Sequence, residues 1–150
     1  MKRTLASLGA AAVLAASLLT TGATTASAAM PTCTGANTYG DAVGYTVRIP
    51  TDHEDGSNFC AMRRGASGNG VMALQWTMHW CYGQINLAKD GEFGPATEAA
   101  LKKVQASEGL VADGVYGPNT RDRIKHHWEI WDRGEFRCLR MSQAPGPLQD

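Results

Sequence analysis

Asp90-Gly91-Glu92-Phe93-Gly94-Pro95-Ala96-Thr97 returns 23 residues later as Asp113-Gly114-Val115-Tyr116-Gly117-Pro118-Asn119-Thr120. Asp, Gly, an aromatic, Gly, Pro and Thr occupy the same places in both octets, so six of eight positions agree in kind. Each shared residue has a physical task. Asp-Gly makes a tight turn in which the glycine takes a positive φ. The aromatic ring fills the core beside the turn. Gly-Pro opens a helix, because the N–H that proline lacks would be unpaired at the first helical position anyway. Thr97 and Thr120, at the third helical position, are placed to bond the turn's backbone or the Asp carboxylate and close the loop.

Outward from the octets, the pattern predicts three helices. Gly70 to about Tyr82 places Val71, Leu74, Gln75, Met78 and Tyr82 on one side at helical spacing. A second helix runs from Pro95 to about Glu108 and buries Ala100, Leu101 and Val104. A third starts at Pro118, with Ile124, Trp128 and Trp131 at i, i+4 and i+7. Upstream, Arg63 to Gly70 reads as a linker, being rich in small residues. Residues 29–68 are rich in Gly, Thr, Asp and Asn. Their one alternating stretch, Val43 to Ile49, reads as a strand within a hairpin, since an isolated strand is unstable.

Val71, Leu74-Gln75, the first octet, Val104-Gln105, Gly109-Leu110 and the second octet follow one another in an order that resembles the three-helix peptidoglycan-binding domain appended to many bacterial cell-wall hydrolases. The match spans about residues 69–124 and departs at Val104, where the family usually carries an aromatic. The resemblance implies a small three-helix orthogonal bundle, so the expected fold is mainly α, with the short N-terminal β-hairpin read above as an extension and disulfides as staples. It also implies binding of peptidoglycan without catalysis.

The 150 residues carry 14 basic and 14 acidic side chains, and 43% are hydrophobic. Zero net charge argues against the basic surface that nucleic-acid binding needs, and the apolar content argues against a disordered polyelectrolyte. Residues 1–28 read as a signal peptide. Lys2 and Arg3 precede an apolar stretch from Leu5 to Leu19, and Ala26-Ser27-Ala28 suits cleavage. The apolar run falls short of the ~20 residues a membrane span demands. Removing 28 residues leaves 122, with 12 basic against 14 acidic side chains. The expected product is secreted, wall-associated and monomeric, with no membrane attachment after cleavage. Its expected parts are a disulfide-linked extension (29–68), a binding domain (69–131) and a tail (132–150).

Cys33, Cys60, Cys81 and Cys138 lack any Cys-x-x-Cys pair, so disulfides are favoured over a zinc site in an exported chain. Four cysteines allow three connectivities. A domain this small benefits from staples. Cys33 and Cys60 bracket the expected hairpin, while Cys81 ends the first helix and Cys138 lies in the tail, which favours Cys33–Cys60 and Cys81–Cys138.

Candidate ligand-binding residues are Trp76, Trp80, Asp90, Phe93, Thr97, Asp113, Tyr116 and Thr120. For the six octet residues the architectural reading, as turn and cap, outweighs ligand contact. Trp76 and Trp80 lie off the core stripe one turn apart. They suit a platform for sugar faces, unless the hairpin or the tail covers them. Trp128 and Trp131 are expected to pack with Ile124 beneath the tail. His53, His79, His126 and His127 form no His-Glu-x-x-His pattern, so neither metal nor cofactor is expected. Asp52, Glu54 and Asp55 read as a solvated loop, and no Gly-x-Ser-x-Gly elbow occurs, so no catalytic residues are assigned. The basic residues Arg121, Arg123, Lys125, Arg133, Arg137 and Arg140 are interleaved with acids and amount at most to a weak contact for an anionic polymer. The expected function is non-catalytic peptidoglycan binding. The alternatives are a module that inhibits or binds a secreted hydrolase and, further off, a small hydrolase with its site in residues 29–68.

Overall fold

The computed structural model describes residues 29–144. The expected signal peptide at 1–28 and the end of the expected tail lie outside them. Strands β1 (Gly35–Gly40) and β2 (Thr46–Thr51) form an antiparallel hairpin. Helices α1 (Asn69–Tyr82), α2 (Pro95–Ser107) and α3 (Pro118–Arg123) follow, then strands β3 (His126–Ile130) and β4 (Glu135–Leu139) and a 3-10 turn at Met141–Gln143. The four strands form one antiparallel sheet in the order β1-β2-β3-β4.

This architecture corrects the expectation of a mainly α three-helix orthogonal bundle. The third helix is only six residues long. Ile124 adopts an extended conformation (φ −76°, ψ 157°) and the chain continues as a strand. Two periods compete for the same residues. Ile124, Trp128 and Trp131 fit a helix, but His126, Trp128 and Ile130 alternate, and these three are buried while His127 and Glu129 are only partly covered. The alternation prevails because β2 and β4 offer β3 ladder partners: Val47 opposite Trp128, and Cys138 opposite His127. Trp128 accordingly packs with Tyr45, Val47, Ile49 and Ile130 under Leu139, Met141 and Ala144, in a cluster that excludes Ile124. Its indole N–H donates to the Leu139 carbonyl at 3.1 Å. The tail does cover Trp128. Trp131, in the β3–β4 turn, is 81% exposed.

The expected hairpin is present, displaced toward the C-terminus, with Val43 exposed in its turn. Asp41 organises that turn, its Oδ1 accepting the backbone N–H groups of Val43 and Tyr45, each at 2.9 Å. The expected linker is a tightly docked segment. Gly65 and Ala66 exchange backbone hydrogen bonds with Phe93, and Gly68 donates to Gly91. Gly70 enters α1 against the extension, and a Cβ there would collide with the carbonyl oxygens of Cys33 and Gly35.

A larger core joins the helices to the extension. Val71, Leu74 and Met78 of α1 meet Leu101 and Val104 of α2, with Phe93, Tyr116, Ile124, Met62 and the Cys33 and Cys60 sulfurs. Both disulfides form in the favoured pairing, Cys33–Cys60 and Cys81–Cys138. The second ties the end of α1 to β4 and so fixes how the sheet lies against the helix. A polar clamp reinforces it. Tyr82 donates to Glu108 (2.7 Å) and accepts from the Lys125 N–H (2.7 Å), while Arg140 reaches Glu108 at 2.6 Å and the Arg123 carbonyl at 2.7 Å. Burial disfavours the Glu108 anion, but the hydrogen bonds from Tyr82 and Arg140 outweigh it and hold its pKa below the usual value.

Candidate binding groove

The two octets fold alike, and a glutamine organises each. The Gln75 amide donates to Asp90 Oδ1 (2.9 Å), the Glu92 carbonyl (3.1 Å) and Thr97 Oγ1 (3.1 Å), and its Oε1 accepts from the Gly91 N–H at 2.9 Å. Gln105 repeats this with Asp113 (2.8 Å), the Val115 carbonyl (3.0 Å), Thr120 (3.2 Å) and the Gly114 N–H (2.9 Å). Gly91 and Gly114 take φ of +76° and +75°, the left-handed turn that Asp-Gly anticipates. Phe93, Thr97, Tyr116 and Thr120 are buried, whereas Asp90 and Asp113 are exposed. The Asp90 carboxyl titrates below its ordinary value because the Glu92 N–H and then the Gln75 amide bond its anion. Each glutamine follows an apolar residue near the middle or end of a helix, and its partners lie eight to 22 residues on. The Leu-Gln and Val-Gln pairs signalled its recurrence; its role as hub emerges only when the loop folds back onto the helix.

Trp76 and Trp80 stand apart from these turns. Their rings are stacked nearly parallel, 7° apart with centroids at 6.4 Å, and they are 38% and 44% exposed. Half-exposure follows from their position. α1 buries Val71, Leu74, Gln75 and Met78 against α2 and turns the tryptophans toward the sheet. The Cys81–Cys138 bridge holds that sheet face at a distance, leaving a groove of about 550 Å³. Trp76, Thr77 and Trp80 form one wall, and Arg48, His127, Glu129, Glu135 and Phe136 the other, with Trp131 at the rim. His127 stacks on Trp80 at 5.7 Å and 17°, and Phe136 leans on both. Burial lowers the His127 pKa, the nearby Glu129 opposing and His79 reinforcing the shift, so the imidazole is neutral at neutral pH. Lys89, the residue before the first octet, sets its ammonium 5.2 Å from the Trp76 centroid, which joins the groove to the helical unit.

Of the candidate residues, the structure thus brings Trp76 and Trp80 into one groove and keeps the octet residues within their turns. The groove's other wall was not foreseen, because β3 and β4 were read as helix and tail; the period-two alternation of His126, Trp128 and Ile130 was the available signal. Asp52 and Asp55 accept the Glu54 and Ser57 N–H groups within their own loop. Among the described residues, no group of three His, Cys, Asp or Glu side chains is placed to hold a metal ion.

Residues 67–124 match the model of a family described as "Putative peptidoglycan binding domain". Two curated relatives are similar over the same part of the chain. A zinc D-Ala-D-Ala carboxypeptidase from Streptomyces albus G is 44% identical over 64 residues, 42% of this chain and 25% of the relative. An N-acetylmuramoyl-L-alanine amidase, CwlL, from Bacillus licheniformis is 38% identical over 63 residues, 39% of this chain and 18% of the relative. The chain therefore spans a quarter or less of these relatives' own length. The crystal structure of a peptidoglycan-binding protein from Clostridioides difficile in complex with glutamine hydroxamate is similar at 33% identity and a TM-score of 0.42, over 53% of this chain and 49% of that one.

Proposed function

We propose that this is a secreted, wall-associated, non-catalytic protein that binds peptidoglycan, with Trp76 and Trp80 as its principal ligand contacts. The observation that carries this reading is the parallel, half-exposed tryptophan pair on α1 of a unit that matches a peptidoglycan-binding family. Indole offers a broad, rigid, amphipathic surface at little entropic cost, which suits a polymer of rings and amides. The octets support binding indirectly, by fixing α1. Several polar residues that could serve catalysis are engaged elsewhere: the cysteines in disulfides, Asp52 and Asp55 in their loop, and His126 on the Arg121 carbonyl at 2.8 Å. Among the described residues no helix is long and apolar enough to cross a membrane.

Co-sedimentation with purified, protein-free sacculi tests the reading. The wild-type protein is expected in the pellet, and Trp76→Ala plus Trp80→Ala in the supernatant. Wild-type protein that stays in solution would refute wall binding and leave recognition of a secreted hydrolase as the reading to pursue. Release of muropeptides would refute the absence of catalysis.

A further inference from the structure

We infer that the groove between α1 and the sheet takes the glycan strand of the wall, an N-acetylated hexosamine oligosaccharide, rather than its stem peptide. This rests on the peptidoglycan reading and assigns a ligand class to the same site. Three observations converge on it. First, the Trp76 and Trp80 rings are parallel to within 7° and 38% and 44% exposed, which leaves indole surface of the kind that the C–H face of a pyranose covers. Second, the opposite wall supplies polar groups without partners. Among the described residues, neither the Arg48 guanidinium nor the Glu129 carboxylate makes a side-chain hydrogen bond or ion pair, although both line the cavity. Glu135 accepts one long bond from Tyr45, at 3.3 Å. A few convergent polar groups in a largely aromatic cavity of ~300–1,000 Å³ are the usual make-up of a small-ligand site. Sugar hydroxyls both donate and accept, so one ligand satisfies the guanidinium and the carboxylate together.

Third, charge selects between the two halves of the wall polymer. The lining holds Glu129 and Glu135 against Arg48, and His127 adds no charge while burial keeps it neutral. With the Lys89 ammonium at Trp76 the charges balance, so the groove offers a charged stem peptide no net attraction and costs an uncharged glycan nothing. Arg48, His127, Glu129, Trp131 and Phe136 all lie outside residues 67–124, so glycan selection resides in the sheet while the family unit supplies the tryptophan floor.

The test is titration of the full oxidised protein with the N-acetylglucosamine hexasaccharide, read by tryptophan emission. Three of the four tryptophans line the groove. The hexasaccharide is expected to bind, and Trp80→Ala to weaken it about 30-fold, as truncation of a central aromatic contact does. Because Trp80 also packs on His127 and Phe136, Trp131→Ala on the exposed turn serves as a second variant that leaves the melting temperature unchanged and still weakens binding. Glu129→Gln is expected to weaken it by about tenfold. Sacculi retained by a protein that ignores the hexasaccharide would overturn the glycan assignment and spare the peptidoglycan reading. Retention of neither would overturn both. The assignment is likewise overturned if a synthetic stem pentapeptide alone binds and is lost in Trp131→Ala, if hexasaccharide binding survives both tryptophan variants, or if sedimentation shows self-association through the groove that the sugar does not disrupt.

Discussion

The helical unit and the sheet that leans on it are held together by different means. The core beneath the helices gathers thirteen buried residues, including Phe93 and Tyr116 from the two octets, and each octet is locked by its own glutamine. The sheet's separate cluster has five, centred on Trp128. β2 and β3, which join the halves of the sheet, share only two paired positions, Thr46 with Glu129 and Val47 with Trp128. So small a cluster does not offset the entropy of ordering four strands. The sheet keeps its place through covalent and polar ties to the helices: Cys81–Cys138, the Tyr82–Glu108–Arg140 clamp and the Gly70 approach. The difference teaches where binding can be built. The groove lies on the seam, with a floor from the robust half and a wall from the dependent one.

If the contrast holds, damage to the helical core propagates to the sheet. Phe93→Ala empties a buried aromatic site and is expected to cost about 3–5 kcal/mol, with helix and sheet signals lost together in urea. Sheet signals that persist after the helices melt would break the comparison. Damage to the seam should stay local. Cys81→Ser plus Cys138→Ser opens a loop of 57 residues and is expected to cost about 2–5 kcal/mol. Hydrogen exchange should then rise first in β3 and β4 while α1 and α2 stay protected.

The seam also carries a pH dependence. His126 is fully buried, and burial lowers its pKa from 6.5 to about 4, with the Arg121 carbonyl opposing and the Arg121 charge reinforcing the shift. The folded protein therefore binds this proton less readily than the unfolded chain. The associated stability is complete above pH 6.5, declines as the pH falls and is gone below about pH 4, with a magnitude on the order of 3 kcal/mol at most. Denaturation midpoints measured across that window are expected to flatten in His126→Gln.

Within the helical unit the two octets can be compared directly. Gln75→Ala and Gln105→Ala each orphan a buried glycine N–H, while the threonine hydroxyls keep their bonds to the Glu92 and Val115 carbonyls; each variant is expected to cost about 1–3 kcal/mol by thermal melting. Unequal losses would show that one turn leans on neighbours the other lacks. The smallest effect has the opposite sign. Tyr116 occupies the place of Phe93, and its buried hydroxyl has no hydrogen-bond partner among the described residues. Tyr116→Phe is expected to raise stability by about 1 kcal/mol.

Much of this was legible in local chemistry. The Asp-Gly turns, both Gly-Pro helix starts, the α1 and α2 core stripes and the existence of a hairpin all follow from short spacings in which each residue's conformational preference and burial agree. Residues 124–131 were not legible in that way, because Trp128 satisfies a helical period with Ile124 and a strand period with His126 and Ile130. Which period prevails depends on a partner strand about eighty residues upstream, and no local preference records that partner. The groove shares this origin. Trp76 and Trp80 could be placed off the core from α1 alone, whereas His127, Glu129, Phe136 and Arg48 face them only once the sheet has closed and the second disulfide has set its distance. By itself the sequence determined the repeated turns, the helices they launch and the family resemblance they carry. Tertiary structure alone decided that residues 126–139 join a sheet and that a groove forms between it and α1, because both depend on long-range pairing whose benefit appears only after the intervening helices have folded.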